Sequence, residues 1–264
     1  MGFFGRKRAP SVPHPRKEPR FDGPLTLERL EQIFQDCVDF TKRPVSLGEG
    51  GACTLTLCYL SGMVKMERVS DYVLRPLAQD EALARCGTPR QAMDRMKDGA
   101  LYNLSAEERT RLDAAVFDLV NGCCLLLFPG ESSVLSLNVG TEEKRSISSP
   151  SNETVLKGSR DAFVESLRTN TSIVRRHLKA PELRIREQVV GRQSVTSVDI
   201  LYIEGLTNPH LVEQVAAQLA DIDIDAVLAT GNIEEYIVPA ARTAFPLVQY
   251  TERSDRFCAG LAEG

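Results

Sequence analysis

Tryptophan is absent from the 264 residues, and aromatic residues make up only 6% of them. A binding cage built on indole stacking is therefore excluded. Histidine is nearly as scarce. His14, His177 and His210 lie far apart, and none stands beside a cysteine or carboxylate in ligand spacing. The seven cysteines (Cys37, Cys53, Cys58, Cys86, Cys123, Cys124 and Cys258) are scattered and odd in number, with no Cys-x-x-Cys pair. No zinc spacing exists, and a reduced, intracellular protein fits this usage. Several of the cysteines sit in apolar runs, where the thiol acts as a small hydrophobe. No apolar run approaches the roughly 18 residues a membrane helix needs; the longest is Cys123 to Phe128. The N-terminus has charges but no apolar stretch behind them, so no secretory signal is visible. A formal charge of −4 argues against a polyanion partner, nucleic acid included.

The signatures of common chemistries are missing too. Gly48-Glu-Gly50-Gly51 lacks the Gly-Lys-Ser/Thr ending of a phosphate loop, and Cys53 takes the place of the third glycine of a dinucleotide fingerprint. Ser159 follows Gly158, but no glycine stands two residues later, so there is no nucleophile elbow. Asp221-Ile-Asp223-Ile-Asp225 invites a calcium reading that fails at Ala226, where the loop needs glycine, and at Asn232, where it needs glutamate. An extended segment with acids outside and Ile222 and Ile224 inside is the simpler account. Nothing argues for catalysis, a metal or a cofactor.

What is present is an alternation of helix and strand patterns. Residues 1–22 form a tail rich in proline and basic residues that cannot bury a core. It is either a solvated tail or a contact for anionic headgroups, each basic residue near such a surface contributing about 1 kcal/mol. Pro24 to Phe40 reads as a helix capped by Thr26. A hairpin follows, with strands Pro44–Leu47 and Ala52–Leu60 around a glycine turn. Met66 to Ala78 reads as an amphipathic helix and Pro89 to Lys97 as a short one. Ser105-Ala-Glu-Glu108 has the form of a capping box opening a helix to Leu119. Cys123–Phe128 and Ser133–Asn138 make a second hairpin.

The two halves match at a gap-free offset of 143 residues. Gly48 falls on Gly191, Tyr59 on Tyr202, Gly62 on Gly205 and Val69 on Val212. Leu55, Leu57, Leu60 and Met63 fall on Val198, Ile200, Ile203 and Leu206. Each half reads hairpin, glycine-terminated strand, helix. The expected fold is α/β: two related subdomains, each a small mixed sheet with a β-hairpin packed by helices, at 23–145 and 146–264. By analogy with Asn121-Gly122 and the strand after it, a strand is expected beyond Gly264, within a longer protein.

The least interchangeable stretch runs from Pro150 to Asp225. Gly158 permits a tight entry into a helix to His177, with Phe163, Leu167, Val174 and Leu178 as its buried stripe. Glu165 and Arg168 can pair on its surface for about 0.2–0.5 kcal/mol. Asn170 is unfavourable in mid-helix and implies a tertiary hydrogen bond, for which the Gly191-Arg192 turn is a candidate. Either a structural network or a ligand contact at the subdomain cleft accounts for it. Arg175-Arg176-His177 complements the helix dipole, or faces a partner subunit or headgroups. The candidate ligand or interface residues are Arg160, Glu165, Asn170, Arg175, Arg192 and Glu204.

Five pieces occur in a fixed order: Gly158-x-Arg-Asp-x-Phe-x-Glu-x-Leu-x-Thr-Asn170, Val190-Gly-Arg192, Tyr202-Ile-Glu-Gly205, Ile222-Asp-Ile-Asp225 and Thr251-Glu-Arg253. As a set they resemble the N-terminal soluble domain of the A subunit of GerA-type spore germinant receptors. The resemblance runs from about Leu25 to the last residue. Leu247 stands where the family usually has glutamine, and Ser254 where it has proline. The resemblance implies a cytoplasmic, spore-core-side domain of a subunit in the inner spore membrane. The implied receptor senses amino acids or sugars with B and C subunits, triggers ion release and forms a homo-oligomer. Two alternatives stand beside it: a small-ligand-binding module using the cleft between two lobes, and the A-subunit-like protein of the spore dipicolinate channel.

Overall fold

The computed structural model describes residues 20–47, 53–101, 106–140, 161–227, 229–238 and 247–264. Thr26 caps the first helix, α1 (Leu27–Ile33), its hydroxyl accepting from the Arg29 amide at 3.3 Å. β1 (Phe40–Ser46) and β2 (Thr54–Leu60) then form an antiparallel hairpin with Phe40 opposite Leu60. One continuous helical run follows: α2 (Met66–Val69), a π-helical stretch Ser70–Leu74 and α3 (Arg75–Gln79). Two shorter helices come next, α4 (Glu81–Ala84) and α5 (Pro89–Arg95). β3 (Ala106–Arg109), α6 (Leu112–Val120), β4 (Cys123–Leu127) and β5 (Val134–Asn138) complete a five-stranded antiparallel sheet of order β1-β2-β4-β5-β3. Leu55, Leu57 and Tyr59 pack with Val69, Val73, Leu77, Met93 and Met96 on one face. Cys58 and Leu60 pack with α1 and α6 on the other. The period-two alternation of β2 therefore serves two cores.

The second unit repeats part of this plan, around a two-stranded sheet. It contains α7 (Leu167–His177), the hairpin β6 (Leu183–Val190) and β7 (Thr196–Ile203), then α8 (Pro209–Ala220), α9 (Thr230–Ile237) and α10 (Ser254–Glu263). Leu183 faces Ile203. These are the residues onto which the 143-residue offset carries Phe40 and Leu60, so the two hairpins share one register. Tyr59 and Tyr202 are each the penultimate residue of the second strand. Gly62 and Gly205 follow with φ of +80° and +79°, a conformation open to glycine at little cost. The same offset lays α7 over α1 and α10 over α6. Leu183, Leu201 and Ile203 pack with α7 and α10, while Val190, Val198 and Ile200 face α8 and α9.

Three expected helices differ from the structure. The first ends at Ile33 and not at Phe40. Asp36 adopts φ +56°, and residues 36–38 turn to lie along β6, a tertiary pairing that overrides the helical pattern. The Ser105–Glu108 capping box is not one: Ala106–Arg109 is β3, paired with β5, and Glu108 bonds Arg90, Lys97 and Ser133. The helix ending at His177 begins at Leu167, capped by Ser166. Before it the chain is extended, with Ala162 bridged to Arg253 and Phe163 packed edge-on against Phe257 at 5.4 Å. The basic tail as far as residue 19, the glycine turn 48–52 and Gly158–Arg160 lie outside the described residues. No helix among the described residues is long and apolar enough to cross a membrane.

Candidate functional site

A buried polar constellation lies where the units meet. Arg175, in the last turn of α7, is fully buried. Its Nε donates to Asp39 Oδ2 at 3.0 Å and its Nη2 to Asp39 Oδ1 at 2.9 Å, a two-point guanidinium–carboxylate pair. Nη1 donates to the carbonyls of Leu183 (3.1 Å) and Ala180 (3.3 Å), so four hydrogen bonds satisfy this one cation. A buried charge is tolerated only with such saturation.

A second arginine works beside it. Arg184, on β6, is also buried and donates to the carbonyl of Ile33 at the end of α1 and to that of Pro181 at 3.3 Å. There it complements the carbonyl end of the helix. Its Nη2 pairs with Glu204. Main chain joins main chain as well. The Val38 amide donates to the Ile185 carbonyl at 3.0 Å, and the Ile185 amide to the Asp36 carbonyl at 3.1 Å. The outer edge of β6 is thereby covered by the first unit. Cys37 sits between these contacts, and burial pushes its thiol above the ordinary range, partly opposed by Arg175.

The joint closes at its rim. A methyl placed on Gly62 would meet Ser172 Cβ at 2.7 Å, so α7 rests directly on the turn after β2. Lys179 donates to Asn121 at 2.9 Å, and Arg20 pairs with Glu182 at 2.9 Å. Among the described residues, these contacts fill the joint between the units.

The sequence candidates do not converge on one cavity. Arg175 and Glu204 belong to the joint, Glu204 through Arg184. Asn170 lies in the first turn of α7, where its amide bonds the Val164 carbonyl (2.7 Å) and the Val164 amide (2.8 Å). It clamps the extended 161–165 segment to the helix, and the expected bond to the Gly191-Arg192 turn is not the one made. Glu165 is exposed ahead of the helix, and Arg168 turns to Glu187 on β6. Arg192 sits at the far tip of the second hairpin and pairs with Asp223 at 2.7 Å. The Arg192 and Gln193 amides donate to the carbonyls of Ile224 and Asp225. Two motifs noticed separately, Val-Gly-Arg and Ile-Asp-Ile-Asp, thus hold one another. Arg160 lies outside the described residues. A cleft of about 630 Å³ lies elsewhere, between Gly23–Glu28 and Phe128–Val134, and none of the candidates lines it.

Sequence reasoning missed Asp39, Arg184 and Asp199. Asp39 fell inside the overextended first helix. Arg184 and Asp199 are charges within strands whose neighbours are apolar, a signal of buried pairing. The Asp199 side chain is sealed from solvent opposite Glu187, and neither of its oxygens has a hydrogen-bond partner among the described residues. Arg168 approaches to 3.7 Å. Burial raises the Asp199 carboxyl above the usual carboxylate range.

The family model for the Bacillus/Clostridium GerA spore germination protein matches residues 28–264. The chain belongs to the GerA family. Among curated relatives, the uncharacterized membrane protein YfkQ of Bacillus subtilis is 33% identical over 90% of this chain and 45% of its own length. Spore germination protein KA of the same organism is 31% identical over 86% and 41%, and stage V sporulation protein AF 31% over 80% and 42%. The chain spans less than half the length of these relatives. The crystal structure of the N-terminal domain of the A subunit of the Bacillus megaterium spore germinant receptor GerK3 superposes with a TM-score of 0.70 at 25% identity, covering 93% of this chain and 91% of that one.

Proposed function

We propose that this chain is the N-terminal portion of a germinant receptor A-type subunit, and that it relays or assembles without performing chemistry. Its two units, at 23–145 and 146–264, move as one body. The parent subunit resides in the inner spore membrane with this portion on the spore-core side. It acts with B and C subunits, in an oligomer, in the signalling that couples nutrient sensing to ion release. Family membership and the GerK3 likeness support the germination setting.

The observation that carries the relay reading is the sealed Asp39–Arg175 joint. A clamshell binder needs an open, hinged cleft between its lobes. Here that place is filled by a saturated buried ion pair and a main-chain bridge.

Spores whose full-length subunit carries Asp39→Asn provide the test. Compared at equal amounts of receptor in the spore, nutrient-triggered germination should slow several-fold. Unchanged germination at normal receptor levels would contradict the relay reading. Calorimetric titration of the chain with amino acids, sugars and monovalent salts should be flat, and a saturable heat lost on Asn170→Ala or Arg192→Ala would favour a ligand-binding module instead.

A further inference from the structure

In the first unit, β2 is an inner strand with β1 on one side and β4 on the other. Its Leu55, Leu57, Cys58 and Leu60 are all at most 1% exposed. β7 has the same register and the same type of residues at the matching places, but among the described residues it pairs only with β6. Val198, Ile200, Leu201 and Ile203 are half-buried as a result. The faces of β7 are partly covered, by α7 and α10 on one side and by α8 and α9 on the other. Among the described residues no strand pairs with the other edge of β7, which leaves a row of main-chain donors and acceptors there.

The end of α10 lies against the turn that follows β7. In the first unit, α6 leads through Asn121-Gly122 into β4, and a methyl on Gly122 would meet the Met63 carbonyl oxygen at 2.7 Å. Met63 falls on Leu206 in the repeat. A methyl on Gly264, the counterpart of Asn121, would find the Leu206 carbonyl oxygen as its nearest neighbour, at 3.5 Å. The two helix exits therefore sit against equivalent turns.

We propose that the outer edge of β7 is a strand acceptor, and that its occupant is an apolar strand of the same polypeptide entering from the C-terminal end of α10. The occupant runs antiparallel to β7 and faces Asp199, Ile200 and Leu201. These are the counterparts of Thr56, Leu57 and Cys58, which pair with Leu127, Leu126 and Leu125 of β4. Main-chain hydrogen bonds supply the attachment, and alternate side chains fill the two half-covered faces. The second sheet is thus completed by the polypeptide linking this portion to the rest of a longer protein. This inference stands independently of the relay reading.

Amide hydrogen exchange tests it, comparing the 264-residue chain with the full-length protein in detergent micelles. The amides of β6 serve as the control and should be equally protected in both. Alternate amides of β7, those facing away from β6, should exchange at least about 100-fold more slowly in the full-length protein. Equal exchange in the two would overturn the proposal, as would a reading frame that stops after Gly264. Protection already present in the shorter chain would overturn it as well: concentration-dependent protection would identify a second copy as the occupant, and protection lost on deleting residues 141–160 would identify that segment.

Discussion

Asp39 and Arg175 stand 136 residues apart in sequence and meet through two hydrogen bonds of 3.0 and 2.9 Å, with both side chains sealed from solvent. The pair ties the segment between α1 and β1 to the last turn of α7. Each partner depends on the other to offset the cost of leaving water.

Replacing Arg175 by methionine leaves the Asp39 carboxyl in the interior without its guanidinium partner. Loss of one member of such a pair costs about 3–5 kcal/mol, a large fraction of the roughly 5–15 kcal/mol that stabilises a domain. The double variant Asp39→Leu with Arg175→Met removes both charges and should recover much of that loss. Equilibrium unfolding in urea measures the cycle, and additive effects would show that the charges act separately.

Gly62 and Gly205 are equivalent in the repeat and share a φ near +80°, yet only Gly62 has α7 against it. Gly205→Ala meets open space and should cost only the backbone strain, about 1–2 kcal/mol. Gly62→Ala adds a clash with Ser172 and should cost about 1–3 kcal/mol more. Ser172→Gly in the Gly62→Ala background should restore part of the difference in melting temperature.

The comparison also shows what could be read from the sequence. The glycines at 62 and 205, the alternation in β2 and β7 and the shared offset are local signals, and they located both hairpins and the repeat. The joint was not legible. Arg175 follows a helical pattern and looks like a dipole-complementing cation, because its partner lies on the other unit. Asp39 was hidden for the same reason: residues 36–38 abandon the helical pattern to pair with β6. Ser105–Glu108 has a helix-start signature, but Glu108 is drawn instead to Arg90, Lys97 and Ser133.

Asp199 has a folded-state pKa raised by burial, so its contribution to stability is fully present below the unfolded value near 3.8 and is lost as pH rises through the folded value. Asp199→Asn should therefore raise the melting temperature at neutral pH, and the difference should vanish below about pH 4. A variant less stable than the parent at pH 7 would show that the ionised carboxylate is favourably held.

Glu108 shows the opposite sign. Hydrogen bonds from Arg90, Lys97 and Ser133 hold its carboxyl down at about 2. Its stabilising contribution is present above the unfolded value near 4.5 and is lost as pH falls toward 2. Glu108→Gln should lower stability by about 1 kcal/mol at pH 7 and by progressively less below pH 4. A pH-independent difference in melting temperature would contradict this.

The central claim is that the two units form one cooperative body through their joint. Hydrogen exchange followed by mass spectrometry in increasing urea, reading β2 and β6 separately, tests it most directly. The account predicts that both strands open with the same free energy in the parent chain, and that Arg175→Met separates them. Independent opening of β2 and β6 in the parent chain would contradict it.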